Sequence, residues 1–119
     1  MTPIDPSHVD AELLRLAGKD VYVHLETTTG TYTALGPDKS PPVIAFVRNA
    51  RVRFSRGSIH GTGPYRVGLK MDEGWIYGDG LTHQTHDERG AFLLAGYDDQ
   101  GRLRLALQLS ETPFREGAA

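Results

Sequence analysis

The chain has 119 residues with a formal net charge of −2, fourteen glycines and no cysteine. This length predicts one domain, spanning residues 1–119, that can bury roughly two thirds of the surface of its unfolded chain, so neither disulfides nor a metal is needed for folding. The lack of cysteine excludes disulfides, thiol nucleophiles and cysteine-bound zinc, and it suits a reducing compartment. No signal peptide pattern and no long apolar run is present, so we expect a cytoplasmic protein without a membrane span.

The first element is a short amphipathic helix. Ser7 is the expected N-cap, and Gly18 is the expected stop because glycine adopts the left-handed conformation of a helix C-terminus at no steric cost. Apolar residues recur at helical spacing between these ends and predict one stripe that packs on the rest of the protein. They are Val9, Leu13 and Leu16.

Beyond the helix, apolar and polar residues alternate with the period of two that is typical of β-strands. A first hairpin is expected to turn at Thr29-Gly30, and the segments Gly36–Pro42 and Thr82–Gly90 are expected to be loops. From Val43 to Val47 the residues at odd and at even positions are apolar. This pattern predicts a strand that is buried on both faces or that changes its partner at Arg48-Asn49. It also makes this strand a candidate homodimer interface. The predicted strands are Val21–Glu26, Tyr32–Leu35, Val43–Val47, Arg51–Arg56, Tyr65–Met71, Trp75–Leu81, Phe92–Tyr97 and Arg102–Leu109.

About eight short strands in sequential hairpins predict an antiparallel sheet, since no helices separate the strands. A sheet of this size tends to curl to protect its edges. The predicted fold class is therefore all-β, with a partly closed, barrel-like sheet and one short N-terminal helix.

Charge is distributed unevenly along the chain. Residues 39–71 contain seven of the thirteen lysines and arginines and none of the fifteen acids. If the runs Arg51–Arg56 and Tyr65–Met71 pair in one sheet, four cations share a face, and aromatic residues lie beside them. This face is the predicted ligand- or partner-binding site, with the residues Arg51, Arg53, Tyr65, Arg66, Lys70 and Trp75.

Three other sites are consistent with the residues. The glycines of Gly61–Lys70 could cradle a phosphate, although a hairpin bend followed by a strand explains this segment better. His83, His86 and Asp87 could bind a metal for a hydrolytic reaction, and His24 with Glu26 on the first strand's wet face adds similar ligands. The basic face could also bind single-stranded nucleic acid by stacking and phosphate contacts, but the net negative charge of the chain argues against this function. No residue pattern defines a catalytic site or a cofactor.

Several long phrases resemble the YojF-like family of small bacterial proteins of unknown function. They run over most of the chain, as far as Leu109-Ser110-Glu111-Thr112-Pro113-Phe114. The others are His24-Leu25-Glu26-Thr27-Thr28, Phe46 through Phe54, Gly63-Pro64-Tyr65-Arg66-Val67-Gly68-Leu69-Lys70 and Gly74-Trp75-Ile76-Tyr77.

This resemblance implies a barrel-like all-β protein encoded beside a zinc-dependent deacetylase of bacillithiol biosynthesis, whose substrate is an N-acetylglucosaminyl malate conjugate. It supplies no catalytic residues. The sequence-based hypothesis is a non-enzymatic accessory or small-ligand-binding protein that uses the basic face for a small anionic ligand or for the deacetylase. A metal-dependent hydrolase and a nucleic-acid binder are the alternatives.

Overall fold

The computed structural model describes residues 1–28 and 43–115, and these residues form one helix and nine strands. The strands belong to two antiparallel sheets, one of six strands and one of three. The elements are β1 (Thr2–Pro3), α1 (Pro6–Leu16), β2 (Val21–Thr28), β3 (Val43–Val52), β4 (Arg56–His60), β5 (Tyr65–Lys70), β6 (Trp75–Leu81), β7 (His83–His86), β8 (Phe92–Tyr97) and β9 (Leu103–Ser110).

The predicted helix is present, but its N-cap differs from the prediction. The Asp5 carboxylate accepts a hydrogen bond from the Ser7 N–H at 3.1 Å, so Asp5 is the cap and Ser7 lies inside the first turn. The Asp5 cap satisfies a backbone donor that the helix leaves unpaired. Gly18 has a φ of +80° and its N–H donates to the Phe54 carbonyl, which confirms it as the point where the chain leaves the helix.

The six-stranded sheet has the order β1-β7-β8-β9-β2-β3. Its centre is the predicted hairpin of β8 and β9, which turns through Asp98–Gly101 as expected. Leucines that alternate along β9 lie on the inner face and form the core with α1 and the second sheet. The buried members from this sheet are Val21, Val23, Phe92, Leu94, Leu105, Leu107 and Leu109.

The three-stranded sheet has the order β4-β5-β6 and packs its inner face on the first sheet and on α1. Val67 and Leu69 are fully buried on this inner face. The sheets approach each other closely at Gly96 in β8, where a Cβ atom would collide with the Gly80 carbonyl of β6. Only glycine at position 96 permits this approach, so the crossing point of the sheets depends on that residue.

The fold class is confirmed as antiparallel all-β with one short helix, but the two sheets are not closed into a barrel. Three strands were not predicted: the two-residue strand β1, β4 and β7. Glycine often marks a bend, yet β4 passes through Gly57, where Leu13 and Phe54 occupy the space that a side chain would need. The polar segment His83–His86 is also a strand, paired with β8 rather than looping freely. The second strand of the first predicted hairpin, Tyr32–Leu35, and the loop Gly36–Pro42 lie outside the described residues.

Strand β3 differs from its prediction too. Ile44, Phe46 and Val47 are exposed rather than buried on both faces, and the strand keeps β2 as its partner through a bulge at 48–49. Asn49 in the bulge has a φ of +58°. Its side-chain amide accepts from the Phe114 N–H at 2.7 Å and donates to the Phe114 carbonyl at 2.8 Å. The bulge therefore fastens the C-terminal segment to the sheet.

None of the described helical residues forms a segment that is long and apolar enough to cross a membrane. The cytoplasmic location, the single domain over residues 1–119 and the homodimer stay predictions.

Candidate ligand-binding groove

The outer face of the three-stranded sheet carries a shallow groove of about 540 Å³. One wall is the row of alternate side chains on β4, and the other wall is a pair of aromatic side chains on β6. Gly68, in the central strand β5, leaves the space between the walls without a side chain. We call this feature the outer groove; its lining residues are Arg56, Ser58, His60, Arg66, Gly68, Trp75 and Tyr77.

Cations bracket the aromatic wall. The Trp75 and Tyr77 rings are parallel within 4° at a centroid separation of 5.7 Å. The Arg66 guanidinium lies 5.6 Å from the Tyr77 centroid, and the Lys70 ammonium lies 5.0 Å from that of Trp75. Arg66, Gly68 and Lys70 follow one another on the outer face of β5. The charged and aromatic side chains therefore lie along the sheet in the order Arg66, Tyr77, Trp75, Lys70. These cation–π contacts hold both charged groups beside the groove.

Gly68 lets the aromatic wall lean across the central strand. It pairs directly with Tyr77, and a Cβ atom at position 68 would lie 3.2 Å from a Tyr77 ring carbon. This is tighter than ordinary van der Waals contact, so any larger residue would push the ring away. The glycine is therefore a determinant of the groove's shape rather than a turn residue.

One end of the outer groove holds two cations that face each other. Arg56 and Lys70 are direct partners in the β4–β5 register, and Trp75 is the next residue in the same row. Among the described residues, no carboxylate forms an ion pair with Arg56 or Lys70, including those of Asp72 and Glu73 in the following turn. Like charges directly opposite each other destabilise a sheet, so this end is suited to an anion.

The other end adjoins a smaller depression of about 280 Å³, which shares His60 and Arg66 with the groove and adds Asp79. Arg66 donates to the Asp79 carboxylate at 3.0 Å, and the two residues are cross-strand partners. On the opposite wall, His60 Nε2 and Ser58 Oγ lie 3.1 Å apart. This end therefore offers a carboxylate and an imidazole, with the Ser58 hydroxyl next to them in the middle row of the sheet.

The predicted binding face is only partly assembled. Arg66, Lys70 and Trp75 lie together in the outer groove as expected. The idea that four cations share one face is wrong, because the strand with Arg51 belongs to the six-stranded sheet while Arg66 and Lys70 belong to the other. Arg51 pairs across from Tyr22, and Arg53 forms an exposed ion pair with Asp20 at 3.0 Å. Tyr65 has the opposite parity to Arg66 and packs half-buried against the core.

Sequence reasoning missed one wall of the groove. Arg56, Ser58 and His60 project from β4, a strand that was not predicted from the sequence. The alternation of these three polar residues with Gly57 and Ile59 is the signal that could have revealed the strand.

The histidine group does not converge. His83 and His86 are three residues apart in β7, so their side chains leave opposite faces of the strand. His83 contacts Thr82 and Tyr97, while His86 Nε2 lies 3.0 Å from His8 Nε2. The Asp87 carboxylate instead accepts two backbone N–H groups of its own turn. Among residues 1–28 and 43–115, no three potential ligands are arranged to hold a metal.

His24 is not on a wet face either. Its side chain is buried between the rings of Phe46 and Phe114, and its Nε2 lies 3.2 Å from Glu26 Oε1. Its Nδ1 has no hydrogen-bond partner among the described residues. Burial lowers the pKa of His24, and Arg48 adds to this, although the hydrogen bond to Glu26 opposes it. A neutral imidazole in this position is part of the packing of the C-terminal segment.

A second depression, of about 410 Å³, lies beside α1. Two arginines line it, Arg15 and Arg89, together with the carboxylate of Glu111. Arg15 is bound by Glu12 at 3.1 Å and by Glu111 at 2.8 Å, so an anion at Arg15 would have to displace these carboxylates.

These observations define a small all-β protein of two packed sheets with a cationic and aromatic groove on one outer face. The chain belongs to the family described as "Protein of unknown function (DUF1806)", whose model matches residues 3–114. It is 50% identical over 114 residues to "Uncharacterized protein YojF" of Bacillus subtilis (strain 168), covering 96% of this chain and 98% of that protein. The crystal structure of Bacillus subtilis YojF matches with a TM-score of 0.82 and 46% identity over 96% of both chains. The resemblance read from the sequence is therefore confirmed.

Proposed function

We propose that this protein is a non-enzymatic binding protein whose outer groove holds a small anionic ligand. The observation that carries the proposal is the direct cross-strand pairing of Arg56 with Lys70, with no ion-paired carboxylate at either group among the described residues. Guanidinium and ammonium groups recognise carboxylate and phosphate through charge-assisted hydrogen bonds. A bound anion would replace the repulsion between the two side chains with attraction.

Two further features support binding in the groove. Its volume of about 540 Å³ is within the usual range for sites that hold small molecules. Trp75 and Tyr77 are 43% and 52% exposed, so aromatic surface that could cover a ligand is in contact with water. Exposed aromatic residues beside arginine are typical of binding surfaces.

The test uses Trp75, which is the only tryptophan of the chain and lies in the groove wall. Its fluorescence is followed while phosphate, sulfate or malate is added, and affinities are confirmed by calorimetry. We expect the double variant Arg56→Gln, Lys70→Gln to bind at least tenfold more weakly than the natural protein. A short single-stranded oligonucleotide is titrated in parallel, because tighter binding of that probe, with a steep salt dependence, would favour the nucleic-acid alternative instead.

The matched control is Arg51→Gln, Arg53→Gln. It removes the same number of charges outside the groove, from β3 and from the residue that follows it, and leaves the groove unchanged. Retained affinity in this control together with loss in the groove variant supports the proposal. Equal weakening in both variants would show that only the overall charge matters, and the groove would be rejected as the site.

We also propose an accessory role beside a zinc-dependent deacetylase of bacillithiol biosynthesis. The support is the family membership together with a groove suited to anions, since the malate-bearing substrate of that enzyme is anionic. Light scattering after size-exclusion chromatography of this protein, the deacetylase of the same organism and their mixture measures association. A mixed peak of defined mass is expected, and two unshifted peaks at micromolar concentrations would remove the direct complex from the proposal.

A further inference from the structure

We infer that the outer groove is two-ended, and that its ligand is a hydroxylated ring carrying one anionic group, as in a sugar phosphate or a sugar acid. This inference rests on the proposed function, because it requires that an anion binds in the groove at all. It adds which end receives the anion and what chemistry the rest of the ligand must have.

The anionic group belongs at the end that Arg56 and Lys70 form. These two cations are cross-strand partners, and Lys70 is held against the Trp75 ring at 5.0 Å. Asp72 and Glu73 follow directly after this end and are exposed. An anion therefore binds on the Arg56 side of the groove, away from the turn, where attraction from the two cations is strongest.

The opposite end attracts an anion less, because Asp79 neutralises Arg66. The Asp79 carboxylate can only accept hydrogen bonds. A ligand group that contacts it must donate, as a hydroxyl does. Ser58 and His60 on the facing wall can each donate and accept, and hydroxyl groups on a ring match such mixed partners.

The spacing of the rows fits a ring between the two ends. Arg56 and His60 are four residues apart on β4, which corresponds to about 13 Å along a strand. The long side chains at both ends shorten the free distance, leaving room for one six-membered ring with a substituent at each end. The middle row presents Ser58 on one side and the Tyr77 ring on the other, with bare Gly68 between them. A sugar ring can place its hydroxyl edge on Ser58 and its apolar C–H face on the Tyr77 ring. A simple inorganic anion makes neither contact.

The experiment compares four probes by calorimetry: glucose 6-phosphate, glucuronate, glucose and inorganic phosphate. The readout is the ratio of the affinity for each anionic sugar to the affinity for phosphate. We expect at least one anionic sugar to bind tenfold or more tightly than phosphate, and glucose to bind tenfold or more weakly than that sugar. Using a ratio removes changes that affect every anion equally.

Variants at the two ends separate this inference from the proposed function. Ser58→Ala and Asp79→Asn should lower the ratio of sugar affinity to phosphate affinity toward one while phosphate still binds. Arg56→Gln should weaken the binding of phosphate and of the anionic sugar together, so the ratio should stay nearly unchanged. A ratio near one in the natural protein, with Arg56-dependent phosphate binding, would overturn the inference and leave the proposed function standing. If none of the four probes bound, or if their binding did not change in Arg56→Gln, the proposed function itself would be contradicted. If glucose bound as tightly as the anionic sugars, the assignment of Arg56 and Lys70 as the anion-binding end would be overturned.

Discussion

Arg56 and Lys70 face each other across the β4–β5 pairing with both side chains on the outer face of the three-stranded sheet. A cross-strand pair of like charges is unfavourable in a folded protein, and it is relieved when one charge is removed. We expect Arg56→Gln to raise the free energy of unfolding by about 0.2–1 kcal/mol at low salt. Added salt should shrink this gain, because it screens the repulsion. Urea denaturation at two salt concentrations measures both effects.

The comparison for this prediction is Arg53→Gln. Arg53 forms an exposed ion pair with Asp20, so its removal should lower stability slightly or leave it unchanged. If Arg56→Gln destabilised the protein as much as or more than Arg53→Gln, repulsion between Arg56 and Lys70 would not be significant.

Gly68 is the residue that shapes the aromatic wall. Gly68→Ala should lower the free energy of unfolding by up to about 1 kcal/mol, since the added methyl would lie 3.2 Å from a carbon of the Tyr77 ring and displace this half-exposed ring. The fluorescence spectrum of Trp75, which contacts Tyr77, should shift at the same time. Tyr77→Ala removes the obstacle, so the cost of Gly68→Ala should largely disappear in that background. A cost that is the same in both backgrounds would mean that the ring does not determine it.

Asn49 combines a left-handed backbone with a clamp on the C-terminal segment. Both Asn49→Gly and Asn49→Ala lose the two hydrogen bonds to Phe114, but alanine keeps a Cβ in a left-handed conformation that costs about 1–2 kcal/mol, whereas glycine has none. We therefore expect the glycine variant to be the more stable of the two in urea denaturation. Ala50→Gly, one residue further along β3, should show the ordinary order, with alanine more stable than glycine. The same order at both positions would contradict the left-handed assignment.

His24 should make stability depend on pH. Burial lowers its pKa in the folded protein, so the unfolded chain binds the proton first as the pH falls. The contribution of His24 to the free energy of unfolding is zero well above the ordinary histidine pKa of about 6.5. As the pH falls below that value the protein loses stability, and the loss stops growing once the pH is below the lowered pKa of the folded state. His24→Gln should remove this loss, while His60→Gln, at an exposed position, should not. Denaturation midpoints between pH 8 and pH 5 measure the difference; an unchanged slope in His24→Gln would refute the role of this residue.

Local patterns were enough to predict the helix, β5, β6, the β8–β9 hairpin and the antiparallel class. Each of these depends on spacing between neighbours in the chain, such as the leucines of β9 or the stripe of Val9, Leu13 and Leu16. The family was identified from the sequence for a similar reason, since long phrases of residues carry that information directly.

The groove needed tertiary structure because its walls come from strands that the chain pattern did not pair correctly. Arg51 and Arg66 look alike in sequence, yet the chain changes sheets at Phe54, and the two arginines end on different surfaces. Strand β4 was hidden because Gly57 signals a bend locally, whereas in the folded protein Leu13 and Phe54 fill the place of its side chain. His24 likewise alternates as if exposed and is buried by Phe46 and Phe114. Alternation along a strand determines which residues share a face, but long-range packing decides what that face meets.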